Sequence, residues 1–159
     1  MIAVIGLGYV GLTTALGFCH KGFTVYGIDS DLKKLNLISC GKMPFYARNM
    51  QYVLNKNINK KFHTCKALTE CIDNVSVIFL CVETPIKKSG KTNLTYLKNA
   101  LKSVLSAVKL NKTKNKKLIV IKSTVPPSTT EKIVIPFIEK KGFTAGKDIF
   151  VANNPEFLR

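Results

Sequence analysis

Apolar residues along this 159-residue chain gather in short continuous runs instead of alternating with polar residues. Five runs are candidate strands, at residues 1–5, 24–28, 76–82, 118–122 and 149–152. Continuous apolar runs are typical of parallel strands that are covered on both faces. Between the third and fourth runs, Leu97, Leu101 and Val104 recur at helical spacing. Strands that alternate with helices predict an α/β fold with a doubly wound, mainly parallel sheet.

Local signals predict where several helices and loops begin and end. Asn93 is a candidate N-cap for the helix between the third and fourth runs. The Ser-Thr-Thr-Glu sequence at 128–131 predicts a capping box that opens a helix towards Lys140. Pro136 should kink that helix or lie near its end. Residues 42–49 are predicted to form a loop after the second helix.

The first candidate strand runs directly into three closely spaced glycines. Gly6 allows a tight turn, Gly8 lets the backbone approach a pyrophosphate because it lacks a Cβ, and Gly11 lets the following helix pack near the strand. The N-terminus of that helix carries unpaired N–H groups and a partial positive charge, which favour a phosphate. A strand, a glycine turn and a helix in this order predict a Rossmann-like dinucleotide-binding unit.

The second candidate strand ends in an acid. Asp29 lies 18 residues after Gly11, close to the roughly 20 residues expected in dinucleotide-binding units. Its carboxylate can accept hydrogen bonds from a ribose 2′-OH and would repel a 2′-phosphate. The chain is therefore predicted to bind NAD rather than NADP.

The formal net charge is +16, with 25 Lys and Arg residues against 9 Asp and Glu residues. Nucleic-acid binding is one explanation of such a charge. The lysines are scattered, however, and no nucleic-acid-reading motif accompanies the cluster at 112–117. We therefore expect no nucleic-acid partner, and a steeply salt-dependent affinity for DNA would overturn that expectation.

The cysteines and histidines show no pattern of a disulfide framework or a metal site. The five cysteines contain no CxxC pair, and His20 and His63 lack metal-ligand spacing. The apolar runs are too short to span a bilayer. We therefore expect a cytoplasmic protein with no metal and no membrane contact, in which buried cysteines act as small hydrophobic residues.

Ligands collect at the carboxyl ends of parallel strands, so the residues after each candidate strand are candidate site residues. Thr84 follows the third run, Ser123 and Thr124 follow the fourth, and Glu156 follows the last. The three hydroxyl groups are predicted to point towards the cofactor edge. Taken alone, each threonine could equally belong to an ordinary turn, and Glu156 could be a surface acid.

These loop motifs, together with the glycine turn, resemble the N-terminal NAD-binding domain of the UDP-glucose/GDP-mannose dehydrogenase family. The matching segments follow the family order over essentially the whole chain: 6–12, 27–29 followed by Lys34, Pro44 with Tyr46, 81–82 with 84–85, 122–126 and 154–159. The Ser-Thr-Val-Pro-Pro and Asn-Pro-Glu-Phe-Leu-Arg motifs are much more specific than the glycine turn.

The resemblance implies an enzyme that oxidises the C6 alcohol of a UDP-sugar to a carboxylate with two NAD+, through a cysteine thioester that water hydrolyses. It implies that the glycine turn holds the pyrophosphate, through Gly6, Gly8, Tyr9, Val10 and Gly11. The adenosine ribose would be bound by Asp29 and Lys34. Further cofactor contacts would come from Val82, Thr84, Ser123 and Thr124. Thr124 would also hydrogen-bond the catalytic water, which Glu156 would help to position. The substrate-binding segment would comprise Glu156, Phe157, Leu158 and Arg159.

The chain also departs from the family pattern. Residues 47–50 are Ala-Arg-Asn-Met where the family usually has Glu-Pro-Gly-Leu, Glu83 replaces a small residue or proline, and Ser128 replaces a common glycine. The family's nucleophilic cysteine, central helix and C-terminal substrate domain are absent from residues 1–159. We therefore expect these residues to form one NAD-binding domain that does not turn over substrate by itself, from a full-length homodimer. The alternative is a stand-alone nucleotide-sensing Rossmann module, which explains the glycine turn but not the two later motifs.

Overall fold

A computed structural model of the chain describes residues 1–112 and 115–156. Six strands form one sheet: β1 (Ile2–Ile5), β2 (Val25–Ile28), β3 (Phe62–Cys65), β4 (Val77–Leu80), β5 (Lys117–Ile121) and β6 (Ile149–Asn153). The α-helices are α1 (Tyr9–His20), α2 (Leu32–Ser39), α3 (Met50–Asn57), α4 (Thr95–Leu110) and α5 (Ile135–Lys140). Every strand pairing is parallel, which confirms the predicted fold class.

The strand order is β3-β2-β1-β4-β5-β6. The chain moves outwards from β1 to β3 on one side, then crosses to β4 on the other side of β1. The loops that follow β1 and β4 therefore leave the sheet in opposite directions and open a crevice between them. Such a switch point is where open parallel sheets bind ligands.

Each face of the sheet carries its own apolar core. Ile2 and Val4 of β1 pack with residues of α1, α2 and α3, whereas Ala3 belongs to the cluster that contains α4 and α5. This alternation follows from the two-residue period of a strand, and it explains why the strands have continuous apolar sequences.

The five candidate strands are all present, with ends shifted by one or two residues. The strand that the apolar pattern did not locate is β3, an edge strand with His63 and Thr64 between Phe62 and Cys65. Its two central residues are only partly buried, which is why its sequence lacks an apolar run. The loop predicted at 42–49 is confirmed between α2 and α3.

Two predicted helix starts differ from the structure. Asn93 lies one residue before the N-cap position, although its Oδ1 accepts a hydrogen bond from the Thr95 amide at 3.0 Å. The predicted capping box at 128–131 is wrong. Ser128 has a φ of 61°, in the left-handed region, and its neighbour Thr129 donates its hydroxyl to the Pro126 carbonyl at 2.6 Å. These residues close a turn after the two prolines instead of capping a helix.

The helix that follows is divided into two parts. A π-helical turn spans Thr130–Val134, and α5 continues from Ile135 with Pro136 as its second residue. Proline has no N–H to donate and crowds the carbonyl four residues earlier, so it favours the first turn of a helix. The predicted disruption at Pro136 is therefore a change of helix type near the start of α5.

Candidate functional site

The turn that leaves β1 packs its glycines against neighbouring backbone. Gly6 has a φ of +92°, and a Cβ there would lie 2.6 Å from the carbonyl oxygen of Cys81, just after β4. A Cβ at Gly11 would lie 1.8 Å from the carbonyl oxygen of Gly6. Neither position has room for a side chain, so both require glycine. This geometry fits the turn and packing roles inferred for these two residues.

Gly8 differs from the other two glycines because it faces open space. It is the N-cap residue of α1, and a Cβ there would meet nothing within 4 Å. No side chain caps α1, and its first turn contains no acid. A helix N-terminus without a side-chain cap, next to open space, is suited to an anionic group such as a pyrophosphate.

The first two residues of α1, Tyr9 and Val10, lie beside this space. Tyr9 is 53% exposed, and its ring contacts that of Phe45 in a tilted arrangement, with 5.2 Å between ring centroids and 42° between ring planes. Val10 is partly buried. The aromatic contact attaches the loop between α2 and α3 to the glycine turn.

Asp29 follows β2 and joins three parts of the site. Its Oδ2 accepts a hydrogen bond from the Leu7 amide of the glycine turn at 2.7 Å and from the Lys34 ammonium at 2.9 Å. Its Oδ1 accepts from the Asp31 amide at 2.9 Å. The carboxylate therefore holds the glycine turn against the start of α2. Oδ1 keeps capacity for a further donor, such as a ribose hydroxyl.

Asp29 remains ionised despite its burial. Burial by itself raises the pKa of this carboxyl, but the hydrogen bonds from Asp31, Lys34 and Leu7 outweigh it and bring the pKa below its ordinary value. The group is thus a preformed acceptor at neutral pH.

An open cavity of about 740 Å³ runs from the glycine turn along α4. Among the predicted site residues, its walls include Gly6, Gly8, Asp29, Lys34 and Val82. Residues 66–69, after β3, also form part of its wall. Tyr9, Val10, Gly11, Thr84, Ser123, Thr124 and Glu156 do not line this cavity.

The hydroxyl groups of Thr84, Ser123 and Thr124 all donate to main-chain carbonyls. Thr84 donates to the Thr124 carbonyl at 2.7 Å, Ser123 to that of Val82 at 2.5 Å and Thr124 to that of Glu156 at 3.2 Å. These bonds tie together the segments that follow β4, β5 and β6. Because the hydroxyl protons are used, each oxygen is left as an acceptor towards a ligand or water.

Glu156 is held by a lysine that the sequence analysis did not single out as a site residue. The Lys122 ammonium donates to Glu156 Oε2 at 2.5 Å and to Asn154 Oδ1 at 3.2 Å. The Glu156 amide also donates to the Lys122 carbonyl at 3.3 Å. Lys122 is the last residue of an apolar run, and the sequence around it gives no sign that it pairs with Glu156, 34 residues later. Phe157, Leu158 and Arg159 lie outside the described residues.

The wall formed by residues 66–69 was also not anticipated, because it follows the strand that the apolar pattern did not locate. The sequence offered only indirect evidence for this strand. A βαβ topology requires the chain to return to the sheet after α2, so a strand had to lie somewhere between α2 and β4. Exposed residues of α4 also line the cavity, among them Tyr96, Asn99 and Ser103.

Two of the cysteines have thiols that ionise less readily than a free cysteine. Burial raises the pKa of both the Cys19 and the Cys81 thiol to about 12, which agrees with their predicted role as small hydrophobic residues. Within residues 1–112 and 115–156, no group of three His, Cys, Asp or Glu side chains could hold a metal ion. No helix in the same part of the chain is both long and apolar enough to cross a membrane.

Comparison with known proteins gives a match over the whole chain. The sequence profile of the UDP-glucose/GDP-mannose dehydrogenase family, NAD binding domain, matches residues 1–159. A GDP-mannose 6-dehydrogenase from Pseudomonas putida is 36% identical over 160 residues, which cover 99% of this chain and 36% of that protein.

Solved structures give the same result. A ternary complex of GDP-mannose dehydrogenase from Pseudomonas aeruginosa superposes with a TM-score of 0.93 at 33% identity, covering 99% of this chain and 36% of that one. A UDP-glucose dehydrogenase from Pyrobaculum islandicum superposes with a TM-score of 0.89 at 30% identity, with the same coverages. The chain thus spans about a third of the length of these relatives.

Proposed function

This chain belongs to the UDP-glucose/GDP-mannose dehydrogenase family, of which it is the NAD-binding domain, and from this premise we propose that it serves the oxidation of a nucleotide-sugar C6 alcohol to a carboxylate. NAD+ supplies the hydride acceptor when bound. The residues of the chain hold and orient it: the N-terminus of α1 takes the pyrophosphate and Asp29 takes the adenosine ribose.

The observation that carries this proposal is the contact between Asp29 and the glycine turn. A single carboxylate accepts the Leu7 amide on Oδ2, and its Oδ1 keeps capacity for a further donor beside the cavity. The ribose acceptor and the pyrophosphate-binding turn are therefore fixed relative to each other before a ligand arrives. Such preorganisation reduces the entropy cost of binding.

A second part of the proposal concerns the ends of β5 and β6. Thr124 keeps an acceptor oxygen, and Glu156 presents a carboxylate that Lys122 holds in place. In this proposal both groups accept hydrogen bonds from a water molecule and orient it for the hydrolysis of a thioester. The nucleophilic sulfur of that thioester would come from outside residues 1–159.

The decisive experiment is a calorimetric titration of this chain with NADH, NADPH, ATP and cyclic dinucleotides. We expect NADH to bind and NADPH to bind more weakly. Gly8→Ala should abolish NADH binding while leaving the fold intact, because a methyl group there enters only the open space beside α1. Gly17→Ala, in the same helix and also with nothing within 4 Å, is the matched control and should bind NADH normally.

A preference for a mononucleotide or a cyclic dinucleotide would contradict the proposal and favour a nucleotide sensor. The sugar nucleotide is tested separately with UDP-glucose and GDP-mannose, since the sequence predicts a UDP-sugar and the Pseudomonas relatives are named for GDP-mannose. Steady NADH production from either substrate by this chain alone would overturn the expectation that it needs a further domain for turnover.

A further inference from the structure

Two exposed acids line the same cavity on opposite sides of the switch point. Asp31 lies shortly after β2 and Glu83 shortly after β4, and β1 runs between these two strands. The Asp31 carboxylate has a structural role, because its Oδ1 accepts a hydrogen bond from the Lys34 amide at 3.1 Å and caps α2. Glu83 stands where the family usually has a small residue or proline. The cavity of this chain therefore has an additional carboxylate on the β4 side.

The backbone on both sides of Glu83 is held in place. The Val82 carbonyl accepts a hydrogen bond from the Ser123 hydroxyl at 2.5 Å. The Thr84 hydroxyl donates to a main-chain carbonyl of the segment after β5 at 2.7 Å. The glycine turn lies against the same segment, since a Cβ at Gly6 would be 3.2 Å from the Val82 nitrogen. The Glu83 side chain is therefore attached to a fixed backbone beside the turn that takes the pyrophosphate.

The charge of Glu83 is not balanced by a contact within the part of the chain that the structure describes. The ion pairs formed by residues 1–112 and 115–156 are Lys34 with Asp29 and Lys122 with Glu156, and neither includes Glu83. Of the two lysines that line the cavity, Lys34 is thus engaged by Asp29, and the other, in the segment after β3, forms no ion pair with Glu83. Glu83 therefore contributes its full negative charge to the cavity.

The two halves of a dinucleotide lie on opposite sides of a switch point. Asp29 assigns the adenosine ribose to the β2 side, so the nicotinamide half belongs to the β4 side, where Glu83 lies. The oxidised and reduced cofactors differ by one charge in that half, because the nicotinamide ring of NAD+ is a cation and that of NADH is neutral. A carboxylate on the β4 side attracts the oxidised ring and has no such attraction for the reduced one.

We propose that Glu83 determines the preference for the oxidation state of the cofactor, by favouring NAD+ over NADH; this inference rests on the proposed function. Glu83 also repels the pyrophosphate, but that group is the same in both forms, so its effect cancels in the ratio of the two dissociation constants. An oxidation that uses two NAD+ must exchange NADH for NAD+ between its two hydride transfers. A carboxylate that disfavours NADH promotes this exchange.

The experiment is a calorimetric titration of this chain with NAD+ and with NADH, at about 10 mM salt so that charges are weakly screened. The measured quantity is the Kd for NADH divided by the Kd for NAD+. In Glu83→Gln this ratio should fall by about three- to tenfold, the size of a unit-charge interaction across a partly aqueous cavity. In Glu83→Lys it should fall further, because a cation then replaces the anion.

Asp31→Asn is the matched control, since it removes an exposed acid from the same cavity but on the adenosine side, and asparagine keeps the N-cap of α2. Its ratio should equal that of the wild type. Raising the salt concentration to about 1 M shortens the screening length from about 30 Å to about 3 Å, so the difference between wild type and Glu83→Gln should then largely disappear.

A wild-type ratio in Glu83→Gln at low salt would overturn the role of Glu83, and so would an equal change in Asp31→Asn. A change that is the same at low and high salt would assign the effect to shape rather than charge and would also overturn it. These results require that both cofactor forms bind, so they leave the proposed function intact. Failure of the wild-type chain to bind either form would instead contradict the proposed function, and the role of Glu83 with it.

Discussion

Two lysine–carboxylate pairs lie at the same edge of the sheet with opposite burial. In the pair after β2, the Asp29 side chain is 8% exposed and that of Lys34 is 27% exposed. In the pair after β5, Lys122 is 12% exposed and Glu156 is 41% exposed. The buried member is therefore the acid in one pair and the base in the other.

The difference in burial suggests that the two carboxylates, Asp29 and Glu156, are suited to different kinds of hydrogen-bond donor. Asp29 accepts two backbone amides as well as its lysine, so the fold fixes both of its oxygens. Among residues 1–112 and 115–156, Glu156 receives one side-chain donor, Lys122, and its side chain is 41% exposed. The first arrangement suits an acceptor for a ligand of fixed geometry, and the second suits an acceptor for water or for a group that changes during a reaction.

The largest effect is expected from Asp29→Asn, which breaks the first pair at its buried member. The amide nitrogen of asparagine would face donors, so the site loses charge-assisted hydrogen bonds of about 1.5–3 kcal/mol each. NADH affinity should fall by about ten- to hundredfold in a calorimetric titration. Asp31→Asn is the matched control, because asparagine is an equally good N-cap for α2. Wild-type affinity in Asp29→Asn would show that Asp29 is not the ribose acceptor.

The next effect is the contribution of Asp29 to the pH dependence of stability. Its folded-state pKa is lowered, so its ionised form contributes stability that is fully present above the unfolded pKa of about 3.9. That contribution is lost as pH falls through the lower folded pKa. In urea denaturation, the difference in unfolding free energy between wild type and Asp29→Asn should be constant above about pH 5 and shrink below about pH 4. A difference that is constant down to about pH 2 would contradict the lowered pKa.

A smaller effect is expected from Lys34→Gln, which removes the exposed member of the first pair. Asp29 keeps the amides of Leu7 and Asp31, so the unfolding free energy should fall by less than about 1 kcal/mol. NADH affinity should fall less than in Asp29→Asn. An equal or larger loss would mean that the ammonium, rather than the backbone amides, fixes the carboxylate.

The smallest effect is expected from the second pair, measured as a double-mutant cycle with Lys122→Met and Glu156→Gln. Because Glu156 is substantially exposed, solvent screens the pair and the coupling energy should stay below about 1 kcal/mol. Chemical denaturation of the four variants gives this value. A coupling of about 3 kcal/mol or more would place the pair among buried ion pairs and remove the contrast with Asp29.

The sequence predicted the architecture, and it predicted that the glycine turn and Asp29 belong together, because the relevant signals are local. The glycine turn, the helix after it and Asp29 occur within one βαβ unit, and their residue types are set by backbone geometry within a few residues. The parallel sheet followed from apolar runs that only two-sided burial explains.

Local signals failed where the surrounding structure gave the same residues another role. Residues 128–131 have the spacing of a capping box, but Ser128 adopts a left-handed φ of 61° and Thr129 donates its hydroxyl to the Pro126 carbonyl. The edge strand β3 lacks an apolar run because solvent reaches its central residues, and the cavity wall at 66–69 was missed with it.

By itself, then, the sequence determined the parallel α/β class and the place of Asp29 after β2, because these depend on residues close along the chain or on burial that repeats along a strand. Only the tertiary structure decided that Lys122 holds Glu156. This contact exists because β5 and β6 are neighbours in the sheet, so that the residues after the two strands meet. No periodicity within either segment encodes such a meeting.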